Sequence, residues 1–111
     1  MSNVGTVEAL PLHDQSFRPD HFFRRDELDV DPEDLLAVAS AAAYALARMP
    51  TVSRHGGKPM VWMDVEGPYA NGPFWQQEQT TDPLAQPNPN AVAVNRAVIQ
   101  GVVDGLRRAA P

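Results

Sequence analysis

Residues 31–50 read DPEDLLAVASAAAYALARMP, a segment with the start, the end and the composition of a helix. Asp31 is a favourable N-cap, Pro32 suits the first helical turn, and Pro50 ends the segment. These signals predict a helix over about 32–49. A helix with so few polar residues must be covered on most sides. Either the rest of this chain or another chain therefore packs against it.

A second helix is predicted over about 89–109, where apolar residues recur at helical spacing. The seam expected to face the core consists of Val92, Asn95, Ile99, Val102 and Leu106. Gly101 and Gly105 interrupt this helix, and each glycine in a helix interior costs about 1 kcal/mol relative to alanine. We expect the two glycines to lie where the first helix approaches closely.

The segment between the helices predicts an antiparallel β-hairpin over about 59–79. Apolar residues alternate along PMVWMDV at 59–65, and Phe74–Gln79 is the expected return strand. Asn71-Gly72 between them is a strong turn signal. Residues 80–90 hold three prolines in eleven residues and read as a stiff linker.

These elements together predict an α+β fold. Two main helices pack with a small antiparallel hairpin, and residues 1–28 form an extended N-terminal arm. Residues 29–111 form one small domain, which contains the Pro-rich linker at 80–90. A chain of 111 residues is an ordinary size for one domain.

The composition excludes several classes of function. The formal net charge of −5 argues against nucleic acid or an anionic membrane as a partner, because both need a basic footprint. There is no cysteine, which excludes disulfides and thiolate chemistry. The apolar run of the first helix is shorter than the roughly 20 residues that span a bilayer. We expect a cytoplasmic protein, or a virion protein if a phage encodes it. One Lys against eight Arg is typical of high-GC bacteria and their phages.

Two polar groups have ordinary explanations. Six carboxylates lie within residues 26–34, but Asp34 stands where a calcium loop needs glycine, so they are typical of a helix N-terminus. The pairs His13-Asp14 and Asp20-His21 match no metal-ligand spacing. The sequence predicts no metal, no cofactor and no catalytic residue, and a non-enzymatic role is favoured over an enzymatic one.

The compact positive loop is Arg54-His55-Gly56-Gly57-Lys58. Backbone amides of a Gly-Gly turn with flanking cations can hold phosphate. The loop lacks the remaining features of a Walker A motif. A connecting loop after the first helix, or a salt-bridging contact to an acidic partner, is the favoured interpretation, and anion binding is the alternative.

The sequence favours a structural or assembly protein that works through protein–protein contacts, as a homo-oligomer or in a larger assembly. A phage virion component (capsid-associated, neck or tail) or a bacterial scaffold subunit fits this description. The alternatives are an accessory subunit of a multi-protein enzyme and a small anion- or ligand-binding domain that uses the Arg54–Lys58 loop. The residues expected to contact other chains are Leu35, Val38, Ala41, Ala45, Trp62, Phe74, Trp75, Gly101 and Gly105.

Overall fold

The computed structural model describes residues 16–23, 30–65, 75–81, 83 and 87–110. Two helices, a short 3-10 helix and two pairs of short strands make up this part of the chain, which confirms the predicted α+β class. In chain order the elements are β1 (Ser16–Phe17), the 3-10 helix (Pro19–Phe22), α1 (Pro32–Ala47), β2 (Arg54–His55), β3 (Lys58–Pro59), β4 (Trp62–Met63) and α2 (Ala91–Ala109).

Helix α1 begins as its sequence predicts. The Asp31 carboxylate accepts a hydrogen bond of 2.9 Å from the Glu33 backbone N–H, so it satisfies one of the free donors at the helix start. Pro32 occupies the first turn, where a backbone N–H is not needed. The helix ends at Ala47, where the Arg48 N–H donates to the Tyr44 and Ala45 carbonyls.

The pairing of α1 with α2 is the centre of the fold. Gly101 faces Leu36 and Ala39, and one turn later Gly105 faces Ser40 and Ala43. Because the contacting positions increase together along both helices, the helices run in the same direction. A Cβ placed on Gly101 would lie 2.8 Å from the Ala39 Cβ. Such separations do not occur between real Cβ atoms, so the two backbones approach closely at the glycines, as expected.

The buried face of α2 differs from the predicted seam. Val92 and Ile99 were expected inside, yet they are 55% and 40% exposed. The small residues let the two backbones approach closely. Because α2 turns its small residues toward α1, the side chains that face α1 are not those of the predicted seam. The buried residues are Ala91, Val94, Ala97, Val98, Gly101, Val102 and Gly105.

Residues 16–23 of the N-terminal arm contribute to the same core. Phe17 and Phe22 stack with ring centroids 5.6 Å apart, and Phe23 meets Trp75 edge-on at 5.9 Å. All three phenylalanines are buried with Leu35, Leu46 and three valines of α2, Val94, Val98 and Val102. Large aromatic side chains therefore fill the space that the small residues of α1 leave.

The antiparallel hairpin lies earlier in the chain than the predicted range of 59–79. Strand β2 pairs with β3, with Arg54 opposite Pro59 and His55 opposite Lys58. Gly56 and Gly57 connect them with φ of 60° and 80°. Two positive φ angles are what a type I′ turn requires, so the chain reverses at this point.

The residues after the hairpin pair elsewhere, which corrects the predicted return strand. Strand β4 pairs in parallel with β1, with Ser16 opposite Trp62 and Phe17 opposite Met63. In the described range 75–81, the only ladder contact is a bridge from Gln77 to Pro87. Phe74 and the Asn71-Gly72 turn lie outside the described residues.

A buried amide network joins residues 76–77 to the start of α2. Asn88 is almost fully buried, and its Nδ2 donates to Gln76 Oε1 at 3.0 Å. Its Oδ1 accepts from the Asn90 N–H at 2.8 Å, and Asn95 Nδ2 donates to the Gln76 carbonyl at 2.9 Å. The N-cap is Asn90, so α2 starts two residues beyond the predicted position.

Candidate interaction surfaces

The most exposed large apolar side chain is Trp62, with 69% of its surface accessible. Met60, Met63 and Val65 beside it are also exposed. We call these four residues the strand patch. Val61, in the middle of the same segment, packs against the core instead. Val61 therefore anchors the segment in the core while the neighbouring side chains face solvent.

The backbone of the strand patch is held on both sides of β4. The Met60 N–H donates to the Ser53 carbonyl at 2.8 Å, and the Asp64 N–H donates to the Phe17 carbonyl at 2.7 Å. Arg18 and Asp64 form an ion pair at 4.0 Å. Because the backbone of this segment is already ordered, less backbone conformational entropy is lost when its side chains enter an interface. This favours binding.

The outer face of α1 is apolar but shallow. Ala37, Ala41 and Ala45 are exposed along one stripe, and Val38 beside them is half-buried. Leu35 lies inside the protein's own core. The chain itself therefore covers one side of α1 and leaves small side chains on the other.

Five cations lie together at the end of the molecule where both helices terminate, and we call them the basic pole. The set comprises Arg48, Arg54, Lys58, Arg107 and Arg108. An open groove of about 320 Å³ is lined by Arg48, Arg54, Gly57 and Ala109. A second groove of about 480 Å³ lies between Lys58, Pro59, Leu106, Arg107 and Ala110. The hairpin turn thus stands beside the last turn of α2.

Three of these cations are held in place by the protein. Arg54 Nη2 donates to the Ala47 carbonyl at 2.7 Å and so caps the end of α1. The guanidinium groups of Arg48 and Arg108 lie 5.4 and 4.7 Å from the centre of the Tyr44 ring. Arg108 also donates to the Ser40 carbonyl and hydroxyl at 3.3 and 3.2 Å. These cation–π contacts and hydrogen bonds favour defined positions of the three charges, each exposed cation–π contact contributing about 0.5–1 kcal/mol.

The other two cations are Lys58 and Arg107, and all five cations are exposed. Within the part of the chain that the structure describes, none of the five cations forms an ion pair with a carboxylate. The nearest acid on α2, Asp104, accepts a hydrogen bond of 2.8 Å from Gln100. The basic pole thus carries positive charge that is not neutralised by described side chains.

The Arg54–Lys58 loop is accordingly part of a larger surface than the sequence indicated. Its glycines are explained by the turn, since a Cβ on Gly56 would meet no atom within 4 Å but would stand at a positive φ. Its cations join three arginines from the ends of the two helices. The sequence showed basic residues in the last turn of the second helix. It did not show that the helices are parallel, and only parallel packing brings the C-terminal ends of both helices together.

The remaining candidates are divided between the core and undescribed parts of the chain. Gly101 and Gly105 are buried against α1, and Trp75 is half-buried against Phe23. Phe74, His13 and Asp14 lie outside the described residues. In the described ranges, no group of three His, Cys, Asp or Glu side chains is placed to hold a metal. None of the helices in those ranges is long and apolar enough to cross a membrane.

No protein-family model, curated protein or solved structure matches the chain. The fold and its surfaces define a small α+β protein with an exposed apolar strand next to a cationic pole.

Proposed function

We propose that this chain is a non-enzymatic structural subunit that works by assembling with other protein chains, and that the strand patch is its docking surface. The observation that carries the proposal is the exposure of Trp62 on a fixed strand with apolar neighbours. Tryptophan and methionine are enriched in the cores of protein interfaces, and tryptophan is frequent among residues that dominate binding energy.

The magnitude of the effect supports a docking role. Burying a fully exposed Met or Val side chain contributes about 1.5–3 kcal/mol, and Met60 and Val65, at 45% and 46% exposed, can each contribute roughly half of that. A central tryptophan in an interface typically costs about 2 kcal/mol or more when it is truncated. The patch therefore supplies a substantial share of the free energy of a micromolar contact, which is about −8 kcal/mol.

We infer that the partners are protein chains, with further copies of this chain first among them, and that neither nucleic acid nor a membrane is bound. A virion component of a phage (capsid-associated, neck or tail) or a bacterial scaffold subunit is the biological role that we propose. The corresponding location is the cytoplasm or the virion. An excess of negative charge over the whole chain disfavours polyanionic partners.

The mass of the purified chain in solution tests this proposal. We expect light scattering on a sizing column to give a defined oligomer for the native chain. The variant Trp62→Glu should give a smaller mass, because a carboxylate in the docking surface loses its solvation on association. The control is Ile99→Glu, which makes the same kind of change at an exposed apolar residue of α2.

A monomer at every concentration would contradict the proposal. Equal masses for Trp62→Glu and the native chain would contradict the choice of surface. Circular dichroism and thermal unfolding of both variants establish that the fold is retained.

Tryptophan fluorescence provides a second measurement. The chain has two tryptophans, so the variant Trp75→Phe leaves Trp62 as the only one. We expect its emission to shift to shorter wavelength as the protein concentration rises, since association removes water from the ring. An emission maximum that is independent of concentration while the mass increases would show that Trp62 stays outside the contact.

A further inference from the structure

We propose that the basic pole of one copy binds the acidic start of α1 in a second copy, so that copies join head to tail. The inference rests on the proposed function, and it names both the partner and the chemistry of the contact. The acidic pole consists of Asp31, Glu33 and Asp34, which are all exposed. The surface that receives them is the basic pole with its two grooves.

The two poles lie at opposite ends of the helix pair. Helix α1 has 16 residues and separates them by about 24 Å at 1.5 Å per residue. The Debye length at physiological ionic strength is about 8 Å. The poles of one copy therefore cannot neutralise each other, and each acts on an approaching chain independently. The net negative charge of the whole chain does not cancel the local attraction of the basic pole.

Helix dipoles do not account for this amount of charge. The C-terminal ends of α1 and α2 together carry about −1 elementary charge and the Asp104 carboxylate adds another −1, against five cations, which leaves about +3. The N-termini of α1 and α2 together carry about +1, against three carboxylates. Both poles thus exceed what stabilises the helices, and the two excesses have opposite sign.

The cations at the basic pole are preorganised for this contact. Arg48 and Arg108 are held on Tyr44, and Arg54 is held on the Ala47 carbonyl. A carboxylate that reaches the grooves meets fixed charges together with the exposed Lys58 and Arg107. Fixed donors make an ionic contact more favourable, because less side-chain entropy is lost on binding.

Exposed apolar residues lie at both ends of the helix pair. Lys58 lies two residues before Met60 and four before Trp62, so the strand patch continues from the basic pole. At the other end of the helix pair, the start of α2 is level with the start of α1, and Val92 near the start of α2 is 55% exposed on that end of the molecule. An apolar centre with a charged rim is the usual composition of a protein interface.

A head-to-tail contact uses two different surfaces on each copy. Such a contact produces a ring when its rotation closes, and a filament when it does not. Every copy in the interior of the assembly uses both poles, which makes the proposal testable with variants that lose one pole each.

The experiment uses two double variants of the full chain. Lys58→Glu with Arg107→Glu reverses two exposed cations of the basic pole and leaves the three fixed arginines intact. Glu33→Lys with Asp34→Lys reverses the acidic pole and leaves Asp31, which caps α1, intact. We expect each variant alone to be a monomer, with self-association weakened at least about tenfold, because the net charge of the basic pole falls from +5 to +1 in the first variant and that of the acidic pole changes from −3 to +1 in the second.

An equimolar mixture of the two double variants tests whether the partner of the basic pole is a second copy of this chain. Each variant retains one native pole, and the two retained poles are complementary, so the mixture should give a one-to-one dimer and nothing larger. Two monomers that stay separate in the mixture would overturn the proposal, and would indicate that the basic pole serves a small anion or a different acidic protein. Undiminished assembly of either variant would overturn it as well.

Trp62→Glu and the charge variants test two different surfaces, so the head-to-tail contact and the proposed assembly role can fail separately. If Trp62→Glu lowers the mass while the charge variants do not, the assembly role stands and the head-to-tail contact does not. If the charge variants lower the mass while Trp62→Glu does not, the head-to-tail contact stands and the strand patch is not the docking surface. The neutral variant Lys58→Gln with Arg107→Gln replaces the reversed one if melting curves show that reversal unfolds the chain.

Discussion

At the scale of single residues, the absence of a side chain at two positions determines how the helices pack. Gly101 and Gly105 let the backbones of α1 and α2 meet, and no other residue type fits there. The sequence indicated this contact, because two glycines in a helix interior are costly without a compensating approach. It did not indicate the orientation of α2, since Val92 and Ile99 have the spacing of a core seam but lie outside. Close approach of small residues outweighed the burial of larger ones.

The variant Gly105→Ala tests whether the close contact between the helices outweighs the preference of a helix for alanine over glycine. On an open helix surface, alanine is more favourable than glycine by about 1 kcal/mol. Here the new Cβ would lie 2.9 Å from the Ala43 Cβ and collide with the Ser40 carbonyl. We expect the free energy of unfolding to fall by about 1–3 kcal/mol, measured by chemical denaturation. The control Ala93→Leu adds carbon atoms at an exposed position of the same helix and should change little. An increase in stability for Gly105→Ala would mean that the helices are farther apart.

At the scale of elements, the helices could be predicted and the strands could not be placed. The signals for α1 are local, since Asp31, Pro32 and Pro50 mark its limits without reference to other segments. The Gly56-Gly57 signal is also local and was available, but it was interpreted as a connecting loop, with an anion loop as the alternative, and not as a hairpin turn. The pairing of β1 with β4 joins distant segments, and a two-residue strand carries no periodicity from which to predict it.

Substitutions at Gly56 test the turn. Asparagine adopts a positive φ readily and is common in type I′ turns, so Gly56→Asn should preserve the hairpin. Valine at a left-handed φ is strained by about 1–2 kcal/mol, so Gly56→Val should open it. The Met60 N–H, which donates to the Ser53 carbonyl, reports on the outcome through amide hydrogen exchange. We expect faster exchange in Gly56→Val only. Equal exchange rates in the two variants would contradict a type I′ turn at this position.

At the scale of the whole molecule, the parallel direction of α1 and α2 gives the protein two ends of opposite charge. The sequence shows acids before α1 and arginines in the last turn of α2, and each feature alone is ordinary for a helix end. Parallel packing places the ends of both helices and the β2–β3 hairpin at one pole. That direction depends on the path of the chain between the helices, which no local pattern encodes. The basic pole could therefore not be predicted as a unit, although every one of its residues is visible in the sequence.

The dependence of assembly on salt follows from this polarity. At about 0.1 M salt the Debye length is about 10 Å, and at about 1 M it is about 3 Å, so an ionic contact between poles weakens strongly over this range. Apolar contacts of the strand patch do not depend on this screening. We expect the mass of the native chain, measured by light scattering, to fall as sodium chloride is raised between these limits. The neutral variant Lys58→Gln with Arg107→Gln should start from a lower mass and change less. A mass that is constant or rises with salt would assign the assembly to the strand patch alone, because only apolar contacts persist when the poles are screened.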